Sequence, residues 1–280
     1  MKTITSVASL QRYMQRLRRK GRRIGFVPTM GALHEGHLSL VRRARRDNDI
    51  VVVSIFVNPL QFGPQEDFGK YPRDLKKDMR LLRGFCDVLF LPGTRFVPGD
   101  MKTSVAVKDV SAPLCGASRP GHFTGVATIV AKLLLAVGPD RLYVGQKDAQ
   151  QAVVIRRMIE DLNFPVAVVV CPIVRAKDGL AMSSRNAYLS TEERHRAVIL
   201  YQALKAAQRM AAGGTRESMK IIRVLEDLFH RVPGTRIDYL EVVDRRTLEP
   251  VRAIEKTALL ALAIYVGDTR LIDNTVLKIK

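Results

Sequence analysis

At 280 residues, 47% hydrophobic and 26% charged, the chain has a globular composition and enough length for one large domain or two modest ones. Its 46 Lys and Arg against 27 Asp and Glu leave a net charge of +19, which raises nucleic acid as a partner, but no Trp and only 6% aromatics argue against a base-stacking platform. The longest apolar runs, 50–57 and 258–266, fall far short of the roughly 20 residues that cross a bilayer.

Ser6 or Ser9 is placed to cap a first helix, in which Leu10, Met14 and Leu17 share one face. Residues 24–27 read as a short strand. A glycine-containing turn leads into a helix over about 36–46, and the β-branched run 50–57 reads as a buried central strand. A loop rich in Pro, Gly, Asp and Gln follows, then a helix near 74–82 and a strand at 87–91. The stretch 122–137 predicts a largely buried helix, stopped by Gly138-Pro139-Asp140; a strand over 141–144 ends at Gly145. A helix over 148–162 and a strand over 166–170 complete the alternation. Alternating strands and helices specify an α/β fold, a parallel sheet flanked by helices, with ligands at the carboxyl ends of the strands. After about residue 172 the pattern changes to helices over 191–212 and 217–231, then strands near 236–243 and 258–266, expected as a smaller C-terminal α+β domain. The expected division is 1–175 and 176–280, at the polar segment around Lys177-Asp178-Gly179.

The basic residues are spread along amphipathic stretches such as 16–20 and 42–46 and read as solvated helix faces, so nucleic acid is not the favoured partner. Cys86, Cys115 and Cys171 make neither a zinc pattern nor a disulfide framework, and no apolar run with a cleavage site follows the basic N-terminus. A reducing cytoplasm and buried, inert thiols are the expectation.

The sharpest chemical signal is Pro28-Thr29-Met30-Gly31-Ala32-Leu33-His34-Glu35-Gly36-His37, between a strand and a helix. Gly31 and Gly36 have P-loop spacing, but His37-Leu38 stands where Lys and a hydroxyl residue belong; His34 and His37 are three apart, not the four of a zinc-protease helix. What fits is the His-x-Gly-His class of nucleotide binders. Two imidazoles at a helix N-terminus suit negative charge developing at the α-phosphorus of ATP, and Gly36 lets a nucleotide lie close. In Gly145-Gln146-Lys147-Asp148-Ala149-Gln150-Gln151, Lys147 suits a phosphate, Asp148 suits a helix cap, and Gln151 sits in the first turn, able to hold a hydroxyl or carboxylate. Met182-Ser183-Ser184-Arg185-Asn186 has the hydroxyls and guanidinium of a triphosphate-gripping loop. Asn58 and Gln61, in Phe56-Val57-Asn58-Pro59-Leu60-Gln61-Phe62, either read a small hydroxy acid or build a turn.

Taken with Tyr71-Pro72-Arg73, Arg119-Pro120-Gly121-His122-Phe123 and Thr269-Arg270-Leu271-Ile272-Asp273-Asn274, these segments resemble, in order and over nearly the whole chain, the pantoate–β-alanine ligase family of the His-x-Gly-His nucleotidyltransferase-like superfamily. The resemblance implies a Rossmann-like N-terminal domain, a C-terminal lid domain, a homodimer, and condensation of pantoate with β-alanine through a pantoyl-adenylate, releasing pyrophosphate and AMP. It implies ATP contacts from Met30, Gly31, His34, Gly36, His37, Gly145, Lys147, Asp148, Val174, Met182, Ser183, Ser184 and Arg185. His37 would donate a proton, His34 would lie on the phosphates, and Lys147 would stabilise the adenylation transition state. Gln61 and Gln151 would hold pantoate, with Asn58 shaping the pocket. Magnesium would arrive with ATP, with Asp78 as a further contact and no dedicated protein metal site. The alternatives are an adenylyltransferase of the same superfamily acting on a phosphorylated substrate, and a basic nucleic-acid-binding protein.

Overall fold

The computed structural model describes residues 1–64 and 66–279. In chain order its elements are β1 (Lys2–Ile4), α1 (Val7–Arg19), β2 (Ile24–Thr29), α2 (Glu35–Asp47), β3 (Ile50–Ile55), α3 (Leu75–Leu82), β4 (Val88–Phe90), α4 (Cys115–Ser118), α5 (His122–Val137), β5 (Arg141–Gly145), α6 (Ala149–Asp161) and β6 (Ala167–Cys171). There follow α7 (Thr191–Ala197), α8 (Ile199–Ala212), α9 (Ser218–His230), β7 (Thr235–Val243), β8 (Thr257–Val266) and β9 (Thr269–Lys278). The chain forms two units. The first holds Met1–Val107, Arg119–Gly145 and Val154–Pro172; the second holds Lys108–Ser118, Gln146–Val153 and Ile173–Lys280.

In the first unit six strands make one wholly parallel sheet in the order β1-β4-β3-β2-β5-β6. This is the parallel sheet that the alternation of elements predicts, Rossmann-like as the resemblance implies. The inner strands are Val-, Ile- and Leu-rich because both faces are covered: Val51, Val52 and Val53 of β3 are all fully buried. Ser6 caps α1 by accepting the Ser9 N–H at 3.2 Å, leaving Leu10 and Met14 to face inward. Buried Tyr143 crosses beneath α2, its hydroxyl accepting from Asn48 at 2.7 Å and donating to Asp47 at 3.1 Å. The helix α5 is buried along most of its length and stops at Gly138, whose φ of +57° is the left-handed conformation glycine tolerates.

In the second unit α8 and α9 pack on an antiparallel sheet, β7-β8-β9. Leu200, Leu204, Ile221, Leu225 and Phe229 meet Leu260, Leu262 and Ile264 in its core. The single helix expected over 191–212 is two. A capping box of Ser190 and Glu193 starts α7, and at Val198 the N–H turns to the carbonyls of His195 and Arg196, so a new helix begins at Ile199. Two strands have no counterpart in the sequence reading. β1 is three residues at the sheet edge, too short for a period to register. β9 carries Asp273 and Asn274 at buried positions, which breaks its apolar alternation.

Candidate active site

In the first unit β2 is where the strand order turns, with β3 and β4 to one side and β5 and β6 to the other. Open parallel sheets bind ligands beyond the strand ends at such a point. Met30 to His37 leave the end of β2, Asn58 to Gln61 follow β3, and Gly145 ends β5.

The β2–α2 loop is built by backbone geometry. The Thr29 hydroxyl donates to the Ser54 carbonyl at 2.8 Å, and Gly31 at φ +83° and Ala32 at φ +49° turn the chain. A Cβ at Gly31 would stand 3.0 Å from Asp78 Oδ2 and 3.1 Å from the Ile55 side chain, so glycine is needed there twice over. Asp78, from α3, accepts the Ala32 N–H at 3.0 Å and the Leu33 N–H at 2.8 Å, one on each carboxylate oxygen. It is 1% exposed, and burial pushes its carboxyl above the ordinary range while the two amides pull it back. Buried and with an amide on each oxygen, Asp78 braces the loop.

His34 is the N-cap of α2. Its Nδ1 accepts the Gly36 N–H at 3.1 Å, and His37 Nδ1 reaches back to accept the His34 N–H at 3.3 Å. The rings lie 4.1 Å apart. A ring nitrogen that accepts carries no proton, so each neutral imidazole bears its N–H on Nε2. The fold thus sets both histidines as Nε2–H donors at a helix N-terminus, where the dipole favours an anion.

Met30, Asn58 and Gln61 come together. Asn58 is 2% exposed; its Oδ1 accepts the Leu60 N–H at 3.0 Å, and its Nδ2 donates to the Gly125 carbonyl at 3.1 Å and to Gln61 Oε1 at 3.0 Å. Gln61 Nε2 donates to Met30 Sδ at 3.1 Å. A thioether is a weak acceptor, so a hydroxyl or carboxylate competes easily for that amide. Of the two roles left open for Asn58, it builds the turn, and in doing so it orients Gln61.

In the second unit Lys147 lies in the short 3-10 turn Gln146–Asp148, its Nζ 3.5 Å from Asp148 Oδ1. Asn274 of β9 holds that turn: its Nδ2 donates to the carbonyls of Gln146 and Lys147, both at 2.9 Å, and its Oδ1 accepts from Gln146 Nε2 at 2.9 Å. Neighbouring glutamines at the start of α6 do different jobs. Gln150 is buried on Val110, Pro113 and Cys115 of its own unit, whereas Gln151 is half-buried in the first turn. The Met182 N–H donates to the Val174 carbonyl at 3.0 Å, which brings these two together in one hairpin. Beside it Arg175 makes a two-pronged pair with fully buried Asp273 at 2.6 and 3.0 Å. Ser183 caps the 3-10 helix Ser184–Tyr188 by accepting the Arg185 N–H at 3.3 Å.

The bracing roles of Asp78, Asn274 and Asp273 are not read from the sequence, although the last two stand in the segment 269–274 that carries the resemblance. Burial pushes the Cys86 thiol up to about 12 and raises that of Cys171, in keeping with buried thiols outside the chemistry.

The family model described as pantoate-beta-alanine ligase matches residues 2–276. The chain is 52% identical to the pantothenate synthetase of Thermotoga neapolitana over 279 residues, covering 99% of this chain and 100% of that one. The crystal structure of pantothenate synthetase from Thermus thermophilus superposes with a TM-score of 0.93 at 48% identity, covering 98% of this chain and 99% of the other. The Francisella tularensis pantoate-beta-alanine ligase, solved in complex with beta-gamma ATP and beta-alanine, gives a TM-score of 0.81 at 34% identity, with 99% and 97% covered.

Proposed function

This chain belongs to the pantoate–β-alanine ligase family, and we propose that its histidine-capped helix start is the phosphate-handling centre of that family's reaction. The enzyme condenses pantoate with β-alanine at the expense of ATP. A pantoate carboxylate oxygen attacks the α-phosphorus, the bond to the β-phosphate breaks, and pyrophosphate leaves. The β-alanine amine then attacks the acyl carbon of pantoyl-adenylate, a C–N bond forms, the amine loses its proton, and AMP departs.

Charge develops on the phosphate oxygens in the first step, so donors fixed in advance act there. His34 and His37 supply Nε2–H groups as hydrogen-bond donors to the phosphate oxygens, where the resemblance casts His37 as the donor, and Lys147 neutralises charge at the α-phosphorus. Met30, Gly31, Gly36, Gly145, Asp148, Val174, Met182, Ser183, Ser184 and Arg185 complete the nucleotide contacts. Gln61 and Gln151 hold pantoate, and Asn58 keeps the Gln61 amide aimed. Magnesium comes as the ATP complex, held by phosphates and water. A homodimer and a cytoplasmic location complete the reading; among the described residues no helix is long and apolar enough to cross a membrane.

The single observation behind the mechanism is the reciprocal His34–His37 cap, which leaves each ring's proton on Nε2. The test is pyrophosphate–ATP exchange. Exchange that needs pantoate but not β-alanine, with AMP released when β-alanine is added, is expected. Exchange indifferent to pantoate, or AMP retained in a dinucleotide product, would refute it.

A further inference from the structure

We propose that Arg119 and His122 are positioning residues that fix Gln61 for pantoate, a role that rests on the reading of Gln61 above. The turn Arg119-Pro120-Gly121-His122 is closed by the His122 N–H donating to the Arg119 carbonyl at 3.1 Å. Gly121, at φ +80°, directs the chain into α5 with His122 as its first residue. Both side chains thereby arrive at one acceptor, the main-chain carbonyl of Gln61. His122 Nδ1 lies 2.9 Å from it and Arg119 Nη2 3.2 Å.

A carbonyl only accepts, so His122 carries its proton on Nδ1, and its Nε2 is left as the acceptor for Arg119 Nη1 at 3.2 Å. This is the opposite tautomer to that of His34 and His37. Glu66 fixes the guanidinium with two bonds, at 2.8 Å to Nε and 2.5 Å to Nη2. Fork-on-fork pairing sets the plane of an arginine as well as its place, which a lysine does not reproduce.

The other side of the 3-10 turn Pro59–Gln61 is fixed too. A Cβ at Gly125 would overlap the Leu60 carbonyl, so the first turn of α5 lies backbone to backbone against it, and Asn58 bridges Gly125 to the Gln61 side chain. The main chain of Gln61 is therefore clamped by Arg119 and His122, and its side chain by Asn58. Such a clamp removes freedom that a substrate-holding amide would otherwise lose on binding.

The experiment uses the full-length enzyme and compares His122→Leu, His122→Asn, Arg119→Lys and Gln61→Ala by steady-state kinetics in pantoate and in ATP, each with a melting curve. In His122→Asn the carboxamide nitrogen stands near the Nδ1 position and keeps a donor for the carbonyl. Expected are an increase of about tenfold in KM for pantoate in His122→Leu, with KM for ATP within about twofold, and recovery of most of the loss in His122→Asn. Arg119→Lys shifts the same constant in the same direction, and it carries the test if His122→Leu does not fold. An unchanged pantoate KM in His122→Leu and Arg119→Lys, with Gln61→Ala raised, overturns the positioning role and leaves the Gln61 reading standing. A His122→Asn as impaired as His122→Leu, or equal losses toward both substrates that track the melting temperature, also overturns it. If Gln61→Ala itself leaves the pantoate KM unchanged, the reading of Gln61 falls and this proposal with it.

Discussion

Replacing Asp78 by alanine separates a brace from a metal ligand. The wild-type carboxylate is 1% exposed and accepts two backbone amides, from Ala32 at 3.0 Å and Leu33 at 2.8 Å. Alanine leaves both N–H groups buried without an acceptor, at about 1–3 kcal/mol each, while removing a carboxylate whose own burial was unfavourable. The net expectation is a loss of about 2–4 kcal/mol, or a fall of about 5–10 °C in melting temperature for a chain of this size. Differential scanning calorimetry without ATP or magnesium measures it. The same loop carries the His34 cap, so kcat falls as well. The pH dependence has a definite sign: a carboxyl raised above its ordinary 3.8 holds its proton longer in the folded protein. Its contribution is therefore full at low pH and declines as pH rises through the interval above 3.8, and Asp78→Asn lacks that decline. A magnesium ligand behaves otherwise. If Asp78→Ala keeps the wild-type melting temperature in the absence of metal and changes only the magnesium dependence of the rate, the brace is refuted.

Three further substitutions probe the frame of the site. Gly31→Ala forces an L-residue to φ +83° against Asp78 and Ile55; a loss of about 1–3 kcal/mol in urea unfolding and a lower kcat are expected. Asn274→Ala removes three hydrogen bonds from the Lys147 turn, and kcat for pyrophosphate–ATP exchange should fall at least tenfold with a smaller change in KM for pantoate. Glu241, half-buried in β7, has a carboxyl raised by burial alone, so Glu241→Gln should raise the melting temperature at neutral pH, with the gain vanishing below about pH 4 where both side chains are uncharged.

The elements legible in the sequence are those with a clean amphipathic face, such as α1 with Leu10 and Met14 inward, and those whose burial is even. β3 is covered on both faces and α5 along nearly its whole length, so Val51–Val53 and the run 122–137 declare themselves by apolar content alone. The candidate-site residues that the sequence singles out are those that leave strand ends within short polar motifs, such as His34, His37, Asn58, Gln61 and Lys147. Hidden from the sequence were the partners of groups that act at long separation. Asp78 serves amides 45 and 46 positions earlier, and Asn274 holds carbonyls 127 and 128 positions earlier. A periodicity or a motif reports local order; a side chain spent on a distant backbone group leaves no local trace. The division of α7 from α8 was hidden for a related reason, because Val198 is an ordinary helix residue and only its redirected N–H marks the break.

The spacing of the two motif histidines follows from the same backbone logic. A pair four apart on a helix faces one metal, whereas an N-cap and the third residue of the helix meet each other's main chain. His34 and His37 have the second spacing, and each spends Nδ1 on an amide of the other's segment. The consequence is that the protonation pattern of the pair is written by the helix start itself. A charged imidazole carries hydrogen on both nitrogens and has no lone pair for the cap, so the folded helix favours the neutral ring with Nε2–H. A neutral Nε2–H donates a hydrogen bond to a phosphate oxygen without a change in its own anchoring, because Nδ1 stays with the backbone throughout. Glutamine in place of His37 retains an acceptor for the His34 amide in the manner of a capping box, yet it has no ring to carry a second donor to the Nε2 position. Helix capping and chemistry are therefore separable at this position, although the fold has assigned both to one ring.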